Sequence, residues 1–301
     1  MNPRTLAHLA ALGVALIYGA NYVIAKDVMP LYIEPRGFIL LRVAGATTLF
    51  FILSLFIKSD QKIERKDWLR LILCGFFGVA ANQLFFFEGL NLTTPINASV
   101  IMTANPIMVL FMSAVLLKEK LKPIKLLGIV IGAVGAVYLI LSAAGEGYAL
   151  PGVSLGNLFV FMNAASYGVY LVIVKPLLIK YDALLVIKWV FAAGLCFVLP
   201  VGLSQFGKID LTSWTPSIFG AVTYVVICTT FLAYLLNVFA LRTLKSSTVS
   251  TYIYLQPLFA TLLALYLAKD ALTFETTISA AFIFIGVYLV GRKPKTAEVA
   301  K

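Results

Sequence analysis

The sequence predicts an all-α membrane protein: ten transmembrane helices in two inverted five-helix repeats. Three observations predict it. The chain has 301 residues, of which 61% are hydrophobic and only 12% charged, and its mean hydropathy is +0.97. A soluble domain cannot hide that much apolar surface, so the bilayer is the expected solvent. The apolar residues also fall into ten runs of membrane length. Finally, the second half repeats the first. Tyr18-Gly19-Ala20-Asn21-Tyr22-Val23-Ile24-Ala25-Lys26 answers to Tyr167-Gly168-Val169-Tyr170-Leu171-Val172-Ile173-Val174-Lys175. Further on, Asn105-Pro106, Lys118-Glu119 and Gly135 answer to Gln256-Pro257, Lys269-Asp270 and Gly286. Duplicated halves facing each other across a membrane are the plan of many secondary transporters.

A spanning helix takes about 20 mainly apolar residues. On that ruler the spans are 5–25, 36–57, 68–91, 95–117, 123–143, 154–174, 183–204, 215–241, 246–268 and 273–291. The first has no signal-peptide cleavage pattern, and its echo at 167–168 makes it part of the fold. The second and seventh carry Arg42 and Lys188 in early turns, where long side chains are expected to snorkel to the interface. The third follows the charged linker 58–67 and holds Asn82, Gln83 and, near its end, Glu88. The fourth is interrupted by Pro106 and the ninth by Pro257. Proline removes a backbone donor and clashes with the preceding turn, so both should break their helices, leaving Asn105 and Gln256 to offer amides to a ligand. The fifth, after the linker 118–122, carries Gly128, Gly132 and Gly135, which with Gly286 on the tenth make a surface for close helix packing. That surface leaves a homodimer open. Gly145-Glu146-Gly147-Tyr148 with Pro151-Gly152 separates the halves, giving repeats 1–145 and 146–301.

The sixth span places Asn163, Tyr167 and Tyr170 on one helical face. Tyr18 and Asn21 are the matching face of the first, and Thr230, Tyr234 and Asn237 repeat the spacing in the eighth. Tyr252 and Gln256 add to it from the ninth. Polar groups at hydrocarbon depth face protein or water rather than lipid. Converging from several spans, they are expected to line a substrate cavity of amides and phenols. Glu88 is the only acid with a long apolar run before it, so it is the candidate for proton coupling. Lys26 and Lys175 close the first and sixth spans, where they are expected to be anchors, with attraction of a substrate carboxylate the alternative. His8 is expected at a membrane end without a partner, and Cys74, Cys196 and Cys228 as packing residues with no CxxC pattern.

Orientation follows from the basic residues. If the N-terminus is cytoplasmic, the outside segments hold Lys26, Arg36, Lys208 and Lys269, Arg42 lies inside a span, and the other 19 of the 24 are inside. That bias predicts both termini in the cytoplasm. Five spans per repeat is odd, so the second copy enters from the opposite face. The net charge of +11 sits in short loops and forms no basic face, so no nucleic acid is expected. No cofactor or metal is expected either, since a single histidine makes a poor metal site.

One ordered set of residues carries a resemblance over nearly the whole chain. It comprises Phe87-Glu88-Gly89-Leu90-Asn91-Leu92-Thr93-Thr94-Pro95-Ile96-Asn97-Ala98-Ser99, Asn105-Pro106, Lys118-Glu119-Lys120-Leu121 and the glycines 128 to 135. The second copy keeps Ala240-Leu241, Ser246 to Ser250, Gln256-Pro257 and Lys269-Asp270, and Arg42 matches as well. In these the chain resembles the drug/metabolite transporter superfamily, specifically its EamA-type ten-helix branch. The resemblance implies two inverted five-helix repeats with spans 1, 3, 4, 6, 8 and 9 around a central cavity. It also implies export or exchange of small metabolites, often amino acids, in a bacterial inner (plasma) membrane. The chain departs from the pattern at Asp270, where glutamate is common, and at Leu272 to Thr277, which lacks glycine.

The expected function is therefore secondary transport, as an exporter of small polar metabolites such as amino acids, by alternating access. The lipid bilayer and a small-molecule substrate are the expected partners. No Gly-rich Walker loop ends in Lys-Ser or Lys-Thr, so energy would come from gradients or exchange. A membrane-embedded enzyme would need paired carboxylates, a histidine cluster or an activated nucleophile within the spans. A non-transporting receptor would need more loop surface, and has no use for paired broken helices.

Overall fold

The computed structural model describes residues 2–57, 60–118, 121–142, 152–244 and 252–291. The helices follow the apolar runs in order: α1 Pro3–Val28, α2 Pro35–Phe56, α3 Arg65–Leu92, then α4, a bent pair of Pro95–Met102 and Asn105–Leu117. After these come α5 Pro123–Ser142, α6 Val153–Lys180 and α7 Ala183–Phe206. The eighth, α8, runs through Pro216–Thr223, Tyr224–Leu232 and Ala233–Thr243; α9 is Tyr252–Tyr266 and α10 is Phe274–Gly291. Among the described residues, eight helices are long and apolar enough to cross a membrane, and the bent pair makes a ninth if taken as one span. The helix Tyr252–Tyr266 is apolar but shorter. The segment expected to begin the ninth span, with Ser246 to Ser250, lies outside the described residues, as do Glu119 and the junction Gly145 to Tyr148.

Proline sets where many helices start. It stands at the first or second position of α1, α2, both halves of α4, the first segment of α8 and the Gln256–Tyr266 part of α9. There its missing N–H costs nothing and its fixed φ suits the helix. Thr94 and Thr215 add side-chain caps, accepting from the amides of Asn97 and Ile218. Pro106 therefore opens a new segment after a break, and the two halves of α4 are bent by 41°; at Pro257 the 3-10 turn Tyr252–Leu255 passes directly into the α-helical Gln256–Tyr266 without a gap. Pro176 does sit inside α6, which continues past the expected end to Lys180.

The outside is a belt of leucine, isoleucine and phenylalanine, with Leu55, Ile179 and Phe274 among the most exposed. Inside, buried asparagines, threonines and an arginine share the core with apolar side chains. This is how a helical protein dissolved in lipid distributes polarity. Cys196 is exposed on that belt rather than packed, while Cys74 is buried as expected.

Packing exchanges partners between halves. α1 lies against α8 and α9, and α6 lies against α3 and α4; α2 pairs with α7, and α5 with α10. The two like-numbered pairs run antiparallel. In the first, Gly37 backs onto Gln205 and Phe206, while Phe50 and Phe51 further along stack on Phe191 and Trp189. In the second, Gly128 meets Gly286 and Val290, whereas Gly135 meets Phe282 and Ser279. The glycine face of α5 is thus occupied by α10.

Polar contacts clasp the halves at the end where α1 finishes. Asp270 accepts from the amide of Ile96 at 2.9 Å, at the start of α4, where an anion also suits the helix dipole. Lys269 pairs with Asp27 at 2.9 Å, and Thr276 donates to Asn97 Oδ1 at 2.7 Å. Arg36 and Gly37 amides share Gln205 Oε1. At the other end Lys180 bridges Glu64 and Asp67, and the Glu64 carboxylate is held below its usual range by its hydrogen bonds to Lys180 and Lys66.

The α5–α10 crossing gives a direct test. A Cβ on Gly286 would fall 2.6 Å from the Gly128 carbonyl oxygen and 2.7 Å from the Gly132 amide nitrogen. Gly286→Val should cost about 1–3 kcal/mol, as overpacking does, and lower the unfolding midpoint in detergent. Gly220→Ala, with open space around it, should leave the midpoint unchanged.

Candidate functional site

Seven residues into α2, about 10 Å along the helix, Arg42 turns inward. It is 5% exposed. Its Nε donates to Thr230 Oγ1 and its Nη1 to Gln83 Oε1, both at 2.6 Å, and its Cζ lies 5.2 Å from the centre of the Phe87 ring. This corrects the expectation that Arg42 snorkels: α8 and α3 hold its head in the interior. Lys188 behaves as expected of an end residue, half-buried over Phe51 and Trp189.

Both helices that hold Arg42 are wound wider nearby. α3 passes through a π-helical stretch at Phe76–Ala80 and α8 through one at Tyr224–Leu232. Such stretches free backbone carbonyls and occur often at functional sites. In α3 the Phe77 carbonyl accepts from Ser166 at 2.7 Å, and Tyr170 lies flat against Gly78. In α8 the wider winding turns Thr229 and Thr230 inward, where Thr229 reaches Asn21 Oδ1 at 3.2 Å. Thr230 itself donates to the Val225 carbonyl at 3.1 Å, which leaves its oxygen free to accept from Arg42.

A hydrogen-bonded chain continues from Arg42. Gln83 Nε2 donates to Asn82 Oδ1 at 3.3 Å, and Asn163 Nδ2 donates to the Asn82 carbonyl at 2.7 Å. Asn163 Oδ1 and, at the break of α4, Asn105 Oδ1 are buried and have no donor among the described residues. Tyr18 and Tyr234 lie within electrostatic reach of Arg42, and Tyr167 of Tyr18. All three phenols are half-buried. Tyr167 and Tyr170 rings lie 5.8 Å apart, but Tyr170 is buried and serves packing.

Other expected site residues stand apart. Tyr252 hydrogen-bonds His8 Nδ1 at 2.9 Å near the start of α1, which gives His8 the partner it was expected to lack and takes Tyr252 out of the cluster. Glu88 pairs with Arg36 at 2.6 Å, an ion pair half open to the surroundings. Asn237 and Gln256 are half-buried without a bond into the Arg42 chain. Lys26 anchors as expected, donating to the Leu90 and Asn91 carbonyls at the end of α3. Two outer grooves, of about 680 and 460 Å³, are lined by apolar residues such as Leu16, Phe259, Ile129 and Val134, and neither touches the cluster. Among the described residues, no three of His, Cys, Asp and Glu come together as metal ligands would.

Apolar spans enclosing a polar junction between two halves define an integral membrane transporter. The chain belongs to the EamA-like transporter family, whose pattern matches residues 5–141 and again 154–292. An uncharacterized transporter of Archaeoglobus fulgidus is 26% identical over 97% of this chain and 99% of its own length. The uncharacterized transporter YyaM of Bacillus subtilis is 22% identical over 93% and 92%. A WAT1-related protein of Arabidopsis thaliana is 24% identical over 95% and 85%. One solved crystal structure shares the fold, with TM-score 0.60 at 20% identity over 95% of this chain and 97% of that one.

Thr230 tests how Arg42 is held. Thr230→Val keeps shape but removes the acceptor, and should cost about 1.5–3 kcal/mol, the worth of a hydrogen bond to a charged group. Thr48→Val, whose hydroxyl is exposed and bonds only its own helix at 2.9 Å, should be near neutral. Unfolding midpoints of both variants in detergent make the comparison.

Proposed function

We propose that this protein is a secondary transporter that exports small polar metabolites, amino acids among them, by alternating access at a central cavity. Two repeats, 1–145 and 146–301, would cross a bacterial inner membrane ten times as an inverted pair, both termini in the cytoplasm. The antiparallel contacts of α2 with α7 and of α5 with α10 support the inversion, because like-numbered spans of parallel repeats would run the same way. The bias of basic residues supports the orientation.

The observation that carries the reading is the interior cluster around Arg42, drawn from both halves and edged by phenols with reachable surface. A fully packed scaffold has no reason to keep unfilled acceptors there. The clasp of Asp270, Lys269 and Thr276 on the start of α4 and the end of α1 supports a closed outer gate in this conformation. Movement about the breaks at Pro106 and Pro257 would open it. Tyr18, Asn21, Asn82, Gln83, Asn105, Asn163, Tyr167 and Tyr234 would line the path, with Asn237 and Gln256 joining as the halves rock. Tyr170 and Tyr252 would support the wall, and Glu88, paired with Arg36, would be the group for proton coupling. The family is one of transporters rather than enzymes, in keeping with this reading.

The test is flux in proteoliposomes preloaded with labelled amino acids. Wild-type protein should release at least one of them, and Asn105→Leu and Gln256→Leu should slow release about three- to tenfold each, the worth of one neutral hydrogen bond. Full-rate release by both variants would remove those amides from the path, and turnover of a lipid with no solute flux would overturn transport altogether. A reporter fused after Lys301 should read cytoplasm.

A further inference from the structure

Every group described against Arg42 is neutral. An amide oxygen, a hydroxyl and a phenylalanine face hold the guanidinium, with the phenols of Tyr18 and Tyr234 nearby. No carboxylate pairs with it among the described residues. The acids that form ion pairs do so elsewhere: Glu88 with Arg36, Asp27 with Lys269, Glu34 with Lys208, and Glu64 and Asp67 with Lys180. The three acids outside the described residues, Glu119, Glu146 and Glu298, lie in sequence between or beyond the apolar runs. Buried charges are ordinarily paired with an opposite charge. Dipoles hold this one in place but leave its charge unbalanced.

A second observation points the same way. Asn163 is 1% exposed, and its Oδ1 is an acceptor with no donor among the described residues. It is tied to Arg42 through Asn82 and Gln83. Among the described residues the junction therefore lacks two things at once, a negative charge beside Arg42 and an N–H donor beside Asn163. One molecule can bring both.

We infer that Arg42 is the specificity-determining counter-charge for a single carboxylate on the transported solute, and that Asn163 Oδ1 accepts an N–H from the same molecule. This rests on the transport reading above. A guanidinium presents a planar fork that fits a carboxylate bidentately. Gln83 and Thr230 orient the fork from two helices and take only two of its five donors, so further N–H groups remain for a ligand. Phosphate is a poorer match. A phosphate monoester carries about −1.5 to −2 at neutral pH, which one cation leaves unbalanced among phenols and amides. Lys26 gives no help, since its ammonium is committed to the end of α3. A solute with its carboxylate converted to an amide keeps only its ammonium and meets like charge at Arg42.

The experiment compares thermal stabilisation of the purified full-length protein by free amino acids, by their C-terminal amides and by inorganic phosphate. At least one free acid should raise the midpoint while its amide and phosphate do not. Arg42→Gln should lose about ten- to hundredfold in apparent affinity for that acid, and Lys175→Gln, which removes an exposed cation, should keep it. Should Arg42→Gln fail to fold, Arg42→Lys retains the charge but not the fork and should show a clear loss as well. Equal stabilisation by the amide, stabilisation by phosphate alone, an undiminished response in the Arg42 variants, or no response to any acid each overturns the inference. Flux of the same compounds separates the two readings. An acid that binds through Arg42 but is never carried overturns transport and leaves the Arg42 assignment standing. Equal flux of acid and amide, undiminished in Arg42→Lys, does the reverse.

Discussion

Hydrocarbon neither forms hydrogen bonds nor screens charge, and this protein's architecture answers to that at every scale. The backbone is spent almost wholly on helices, whose bonds close within themselves. Side chains that need partners turn toward the junction of the halves, while the belt outside is leucine, isoleucine and phenylalanine. Arg42 is the extreme instance. Its charge is tolerable at that depth because two other helices, α3 and α8, each bring an acceptor to it. The π-helical winding at Tyr224–Leu232 is part of the same arrangement, since it turns Thr230 inward.

Helices in lipid gain little from burying apolar surface against one another, so close packing and interhelical hydrogen bonds must hold them. Glycines do much of this. Gly75 of α3 meets Gly194 of α7, Gly89 of α3 meets Gly156 of α6, and Gly128 of α5 meets Gly286 of α10. Each crossing joins the two halves, so the repeats are fastened to each other along their length. The polar clasp of Asp270, Lys269 and Thr276 acts only at one end.

Much of this was legible in the residues. Apolar runs of membrane length mark the helices because bilayer thickness sets their length. Pro106 marks the break in α4 because proline acts through its own backbone. The stripe of Asn163 and Tyr167 points inward because polar groups avoid lipid. Partners distant in sequence were not legible. Arg42 reads as a snorkelling residue when only α2 is considered, seven residues from its start; the acceptors that hold it inward lie 41 and 188 residues away. His8 reads as unpartnered because Tyr252 is 244 residues distant. Tyr170 shares a face with Tyr167 yet packs against Gly78, since a stripe wide enough for three residues meets two different neighbours.

Length, hydropathy and duplication were determined by the sequence alone, because each depends on local composition and on the fixed rise of a helix. The same is true of where helices begin, through proline and threonine at their first turns. Tertiary structure alone decided which polar residues meet, which carbonyls the wide turns of α3 and α8 release, and that a guanidinium faces an interior with no acid described beside it. Charge balance at a buried site is a sum over every helix that reaches it, and no single segment of chain contains that sum.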